Sequence, residues 1–151
     1  MKVLAGDLLS MAEAGEFDVI VHGCNCQCKM GKGIALSIKK DFPEAYDADC
    51  QTTPGDTSKL GSYTAADIVR GDTSFTVVNA YTQMHWRGLG RKVDYEALEQ
   101  VFRKIKTDCA GKRIGYPKIG AGLGGGDWEV AADIIDRALE GEDHSLVELN
   151  T

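Results

Sequence analysis

The chain has 151 residues, 43% hydrophobic and 26% charged, the size and balance of one globular domain that can bury a core. Its apolar runs are only a handful of residues long, which argues against a membrane span, and the first ten residues meet Asp7 too early for a secretory leader. The net charge of −6 argues against non-specific binding to duplex DNA, which needs basic faces to neutralise phosphates, but a small anion held by backbone N–H groups stays open.

Taken in order, residues 1–4 read as a short strand, followed by Gly6-Asp7 and a helix over 8–14. Residues 17–21 are an apolar run with one acid, the pattern of a buried strand. Residues 23–33 have neither helical nor strand period, and a helix begins at Ile34 and ends at Phe42-Pro43. A short helix is expected over 44–50 and an exposed loop, rich in Thr, Pro, Gly, Asp and Ser, over 52–59. Two strands, 62–69 and 75–82, flank the turn Arg70-Gly71-Asp72-Thr73, and residues 83–92 read as a loop. Leu98, Val101, Phe102 and Ile105 recur at helical spacing and predict a helix over 93–107. A strand over 113–117 runs into a glycine-rich segment ending at Gly126, followed by a helix over 127–139 and a last strand over 145–149. There is no internal repeat and no linker, so the expectation is a single domain over 1–151. The alternation predicts an α/β fold with helices on both faces of a largely parallel sheet, whose ligands sit at the carboxyl ends of the strands.

Both glycine-rich loops follow a strand and precede a helix. Gly31 and Gly33 flank Lys32 in the first, and five glycines fall between 120 and 126 in the second. Glycine tolerates positive φ and puts no Cβ in a ligand's way, and N–H groups at a helix start form a phosphate cradle. Either loop alone reads as a turn; two at strand-to-helix junctions point to a diphosphate gripped from both sides. Residues 120–125 also fit G-x-G-x-x-G, with Glu148 near the end of the next strand, but a dinucleotide fold needs more strands than follow.

Several other side chains carry two readings each. His22 is a hydrogen-bonded core histidine or a group that protonates a leaving oxygen or positions water. Asp127 is a helix N-cap, a general base, or both. The five cysteines, at 24, 26, 28, 50 and 109, are odd in number and read as free thiols in a reducing compartment, hence a cytoplasmic protein. A metal site on Cys24, Cys26 and Cys28 lacks the usual C-x₂-C pairs, so no metal and no cofactor is expected. Trp86, Arg87 and Arg91 either cover a ligand or are solvated, and Tyr81 and Gln83 stand at the end of a central strand.

Four segments together resemble the macro-domain family: Val3-Leu4-Ala5-Gly6-Asp7-Leu8-Leu9, Val19 to Asn25 with Met30-Gly31-Lys32-Gly33-Ile34-Ala35, Val93 to Leu98, and Pro117 to Leu123. They span nearly the whole chain in the family's order. The resemblance implies a three-layer α/β/α sandwich with a mixed sheet of about six strands and a cleft for ADP-ribose. It implies that Asp7 accepts from the adenine amino group and that Leu8 offers a backbone N–H to the ring. It places Gly31, Gly33 and Ile34 on one side of the diphosphate and Gly120, Ala121, Gly122, Leu123 and Gly124 on the other. It implies that Asn25 faces the distal ribose, and a place at the carboxyl end of a central strand puts Tyr81 and Gln83 at the same end as expected lining residues.

His22-Gly23-Cys24-Asn25 replaces the common Asn-Ala-Ala-Asn and is similar to the branch that dephosphorylates ADP-ribose 1″-phosphate. Other segments resemble the branch that removes ADP-ribose from acidic side chains. That branch uses a lysine on a middle strand and an Asp after Gly-x-Gly-Leu; here the strand reads Val77 to Gln83 without lysine and the Asp position is Gly124. The expectation is a hydrolase recognising ADP-ribose, acting as a phosphatase on ADP-ribose 1″-phosphate with His22, Asn25 and Asp127 as catalytic residues. The alternatives are release of ADP-ribose from modified protein or nucleic acid, and binding without turnover.

Overall fold

A computed structural model of the chain describes residues 1–86, 88 and 90–149. Strands β1 (Lys2–Ala5), β2 (Val19–Asn25), β3 (Tyr63–Arg70), β4 (Thr73–Gln83), β5 (Arg113–Tyr116) and β6 (Asp143–Glu148) form one sheet in the order β1-β6-β5-β2-β4-β3. All pairings are parallel except β3 with β4, a hairpin turned at Gly71 with φ +62°. The carboxyl ends of β1, β2, β4, β5 and β6 therefore share one edge, and both glycine loops leave from it.

Helices α1 (Leu8–Glu13), α2 (Gly33–Asp41) and α3 (Pro43–Cys50) cover one face, and α4 (Tyr95–Asp108) and α5 (Trp128–Ala138) the other. Period-2 alternation sorts the strand residues between them. Val19, Val21, Val78 and Ala80 pack under Leu98, Val101, Phe102 and Ile105 of α4 and Ala131, Ile134, Ile135 and Ala138 of α5. Ile20 and Val77 pack with Ile38, Phe42 and Ala45 on the opposite face. This is the expected three-layer sandwich with a mixed sheet of six strands.

Capping accounts for the helix starts. Asp7, Asp94 and Asp127 each accept backbone N–H groups at the start of α1, α4 and α5. Pro43 occupies the first turn of α3, where its missing N–H costs nothing, so this helix begins one residue earlier than the expected 44–50.

The structure departs further from the sequence reading in β2, in the segment 52–59 and at the start of β6, and β4 begins at Thr73, two residues before the expected strand. β2 runs on through Gly23, Cys24 and Asn25, which were expected to be loop, because β4 offers Ala80, Tyr81 and Gln83 as pairing partners. A register shift between Cys24 and Asn25 marks the start of the true loop. The segment 52–59 is not wholly exposed: Thr57–Lys59 forms a 3-10 turn capped by Asp56, and Lys59 is only 6% exposed. β6 starts at Asp143, two residues before the expected strand.

One contact makes the packing testable. A Cβ at Gly115 of β5 would lie 2.9 Å from three carbons of the Phe17 ring, which is itself buried. The ring is packed in the core and the β5 backbone is held by β2 and β6, so Gly115→Ala is expected to destabilise the fold by about 1–3 kcal/mol, the usual cost of overpacking. Urea denaturation with an unchanged m-value and a lower midpoint is the expected result.

Candidate functional site

The carboxyl edge of the sheet opens into a cavity of about 780 Å³, within the usual range for small-molecule sites. Gly6, Asp7 and Leu8 after β1 line it, with Gly33 and Ile34 at the start of α2, and Pro117 and Lys118 after β5. Asp7 Oδ1 accepts the N–H groups of Leu9 at 3.0 Å and Ser10 at 3.3 Å. That leaves its second oxygen and the first-turn N–H of Leu8 for another partner, as helix starts always leave donors over.

The two glycine loops approach each other beside this cavity. A Cβ on Gly33, whose φ is +60°, would lie 3.2 Å from Leu123 Cδ1 of the second loop. Leu123 itself is 61% exposed. Within the second loop the glycines have different tasks. Gly120 and Gly125 have φ of +79° and +69° and turn the chain. Gly124 is buried, its carbonyl accepts from Lys92 and Val93 N–H, and a Cβ there would lie 2.9 Å from Gly120 O. Gly124 therefore shapes the loop by close packing, and no side chain fits at this position. Gly122 has nothing within 4 Å of its would-be Cβ and φ outside the left-handed region, as does Gly31 on the first loop. Ala121 is half-buried between them.

Asn25 is 7% exposed, and its side chain holds the first loop. Its Oδ1 accepts from Gln27 N–H at 2.9 Å and Lys29 N–H at 3.3 Å, and its Nδ2 donates to Lys29 O at 2.8 Å. One amide hydrogen remains for a ligand. Gln83 stands beside it in register at the end of β4, with Nε2 donating to His85 O at 2.7 Å.

Asp127 is exposed and caps α5, accepting from Glu129 N–H at 2.9 Å through Oδ1; its own N–H donates to Tyr95 Oη at 2.8 Å. The guanidinium of Arg91 lies 4.3 Å from the Tyr95 ring centroid, and Lys29 Nζ lies 6.0 Å from that of Trp86. The segment before α4 thus joins the rim beside the second loop. Arg87, read with these as a possible cover, lies outside the described residues.

Two expected site residues are placed elsewhere. His22 is 1% exposed, with Nε2 2.7 Å from Asn79 Oδ1 and 3.4 Å from Cys24 Sγ. Burial pushes its pKa down to about 4, against a smaller upward pull from the Asn79 hydrogen bond. A neutral, sealed imidazole neither reaches a phosphate nor serves as its acid at neutral pH, so the reading of His22 as a general acid gives way to the core reading. Tyr81 is likewise sealed, its hydroxyl donating to Asp49 Oδ1 at 2.7 Å and lying 2.9 Å from Thr64 Oγ1. Both point to the α3 face, because alternation along β2 and β4 turns residues 22, 79 and 81 away from the second loop.

The sequence reading missed part of the lining of the cavity. Ser10 and Glu13 of α1 and Ser37 and Asp41 of α2 line it, and Lys118 pairs with Glu148 at 3.0 Å along its edge. The signal was present: Gly33, Ser37 and Asp41 are spaced by four, so one helix face carries all three.

All five cysteines are free, and among the described residues no group of three His, Cys, Asp or Glu side chains is placed to hold a metal ion. No helix among the described residues is long and apolar enough to cross a membrane.

Comparison with known proteins agrees with this geometry. The uncharacterized 17.5 kDa protein of the tk-vs intergenic region of Enterobacteria phage T4 is 34% identical over 90% of this chain and 88% of its own. A DNA ADP-ribosyl glycohydrolase of Mycobacterium tuberculosis is 30% identical over 83% of this chain but only 34% of its own length, so this chain spans about a third of that enzyme. An ADP-ribose 1″-phosphate phosphatase of Debaryomyces hansenii is 27% identical, with 91% and 93% covered. Among solved structures, the macrodomain of Mycobacterium tuberculosis DarG superposes with a TM-score of 0.75 at 24% identity, covering 96% of each chain. The Macro domain profile matches residues 21–135, from the middle of β2 into α5, and the chain therefore belongs to the macro-domain family.

Proposed function

We propose that the cleft binds ADP-ribose and that the protein is a hydrolase of ADP-ribose derivatives, acting on ADP-ribose 1″-phosphate. The observation that carries the binding reading is the cavity itself, lined by Asp7 at the start of α1, by Gly33 and Ile34 at the start of α2 and by Pro117 and Lys118 after β5, with Leu123 of the second glycine loop reaching the Gly33 position. Asp7 suits an adenine amino group as acceptor. Backbone N–H groups at glycine-rich helix starts suit a diphosphate, whatever the chain's net charge.

For the phosphatase reading, the support is in what β4 and the second loop carry. β4 holds no lysine between Thr73 and Gln83, and Gly124 stands where the de-ADP-ribosylating branch has an acid. The chain is also 27% identical to a yeast protein named for the phosphatase activity. In the proposed reaction water attacks phosphorus, the bond from phosphorus to the 1″ oxygen breaks, the departing 1″ oxygen takes a proton from solvent, and ADP-ribose and orthophosphate leave. Asp127 takes the proton of the water through the carboxylate oxygen not spent on Glu129, and the remaining amide hydrogen of Asn25 orients the distal ribose.

A second reading, release of ADP-ribose from modified nucleic acid, is favoured by one observation besides the glycohydrolase relatives. Trp86, Arg91 and Lys92 follow β4 beside Lys29, a basic and aromatic rim on an acidic protein, and such rims bind single strands by stacking and charge. The five free cysteines fit work in a reducing, cytoplasmic compartment.

Parallel assays separate these readings: phosphate release from ADP-ribose 1″-phosphate, and ADP-ribose release from an ADP-ribosylated oligonucleotide. The first is expected to be positive. Asp127→Asn keeps an equally good N-cap and is expected to lower turnover by about 10²–10⁴-fold without loss of thermal stability. No phosphate release by the parent protein transfers the assignment to the second substrate, and activity on neither leaves binding alone. Gly122→Val is expected to fold normally, since its Cβ meets open space at an ordinary φ, yet to weaken ADP-ribose binding at least tenfold. A Gly122→Val variant that binds normally would show that this part of the loop is only a turn.

A further inference from the structure

Behind the first ligand loop, on the α3 face, lies a cluster that the cleft does not use. Cys28 has φ of +59°, the one non-glycine residue in the left-handed region among those described. Its half-buried sulfur lies 3.3 Å from both Asp49 O and Thr52 Oγ1, and 3.5 Å from Lys59 Nζ. Lys59 is 94% buried, since only 6% is exposed. Its ammonium donates to Cys26 O at 3.0 Å and Thr53 O at 3.5 Å and sits 4.8 Å from the Tyr81 ring centroid. Among the described residues it has no carboxylate within 4.0 Å. Asp49 and Asp56 act on its charge only through space, so its direct partners are the two carbonyls and the Cys28 sulfur.

The other two cysteines of the segment are poor competitors. Cys24 and Cys26 are 5% and 0% exposed, and burial pushes the first thiol well up and the second to about 11. Cys28 is the thiol of this loop that an oxidant can reach, and the group in contact with it is a primary amine.

We propose that Cys28 is a site of reversible oxidation at which Lys59 captures the oxidised sulfur in a covalent S–N bond. A peroxide oxidises the thiol by two electrons to a sulfenic acid, and one peroxide oxygen leaves as water. Lys59 releases a proton to solvent, its nitrogen lone pair forms the bond to sulfur, and the sulfenic hydroxyl departs as water with a second nitrogen proton. The sum is thiol, ammonium and hydrogen peroxide in, and sulfenamide, two waters and one proton out. Because nitrogen and sulfur are already in contact, capture needs no search and outruns further oxidation of sulfur. The bond ties the loop that leads into α2 to the Thr57–Lys59 turn, giving the ligand loop a redox-set anchor. This inference does not depend on the proposed substrate.

The test treats the full chain with hydrogen peroxide and maps it by tryptic digestion and tandem mass spectrometry. The expected species is lighter than the untreated chain by two hydrogens, joins the Cys28 and Lys59 peptides, is not cleaved after Lys59 and is reversed by dithiothreitol. Cys28→Ser and Lys59→Arg should each abolish it, with circular dichroism confirming that both variants fold. If Lys59→Arg fails to fold, the wild-type cross-link map and Cys28→Ser decide alone. Cys28 recovered only as sulfinic or sulfonic acid, or only in a disulfide with another cysteine, overturns the proposal.

Discussion

The hydrogen bond between His22 and Asn79 holds together the part of the molecule on which the cleft depends. The two residues face each other in the β2–β4 register, fully buried, at 2.7 Å. Asn79 then donates to Ala45 O of α3 at 2.9 Å and to Thr64 Oγ1 of β3 at 3.0 Å. Thr64 meets the Tyr81 hydroxyl, which donates to Asp49. Two strands, their hairpin partner and a helix are thus pinned by one satisfied polar chain in a low-dielectric interior, where each unmade bond would cost about 1–3 kcal/mol. A slip of β2 by one residue would break this chain and send Gly23 and Asn25 to the wrong face.

From that fixed register the site follows. β2 ends at a register shift, Asn25 closes the next turn with its own side chain, and the chain reaches Gly33 at the start of α2. On the other side of β2, β5 delivers Gly120, whose positive φ turns the second loop back so that Gly124 seats Lys92 and Val93. Each loop is anchored by buried atoms, the first by the Asn25 side chain and the second by Gly124. Anchoring of this kind fits the proposal of a ligand recognised by backbone N–H groups, with little ordering cost left on binding.

The layered fold was legible because its signals are periodic. The stripe Leu98, Val101, Phe102, Ile105 and the run after Phe17 assign helix and strand without knowledge of neighbours. Asp7 and the glycine loops were legible because their residue types are the local chemistry of helix starts and turns. What failed depended on partners far along the chain. His22 stands next to the first ligand loop in sequence, yet alternation turns it to the opposite face, where Asn79 waits 57 residues away. Tyr81 fails for the same reason. Lys59 sits in a segment whose composition reads as loop, and only the fold shows that Cys26 O and the Tyr81 ring receive it. Among the glycines, sequence could not separate Gly124, held by a backbone oxygen, from Gly122, whose would-be Cβ meets open space.

The central claim is that the cavity beside Asp7 recognises ADP-ribose, and calorimetric titration of the protein and of its Asp7→Asn variant tests it most directly. Asn caps a helix as well as Asp, so α1 should be kept, while its amide no longer offers the adenine amino group a second acceptor oxygen. The account predicts one site for ADP-ribose, stronger competition by ADP than by AMP, and a loss of about 1–3 kcal/mol in binding for the variant at unchanged thermal stability. Absence of both heat and thermal shift when ADP-ribose is added to the parent protein would contradict it.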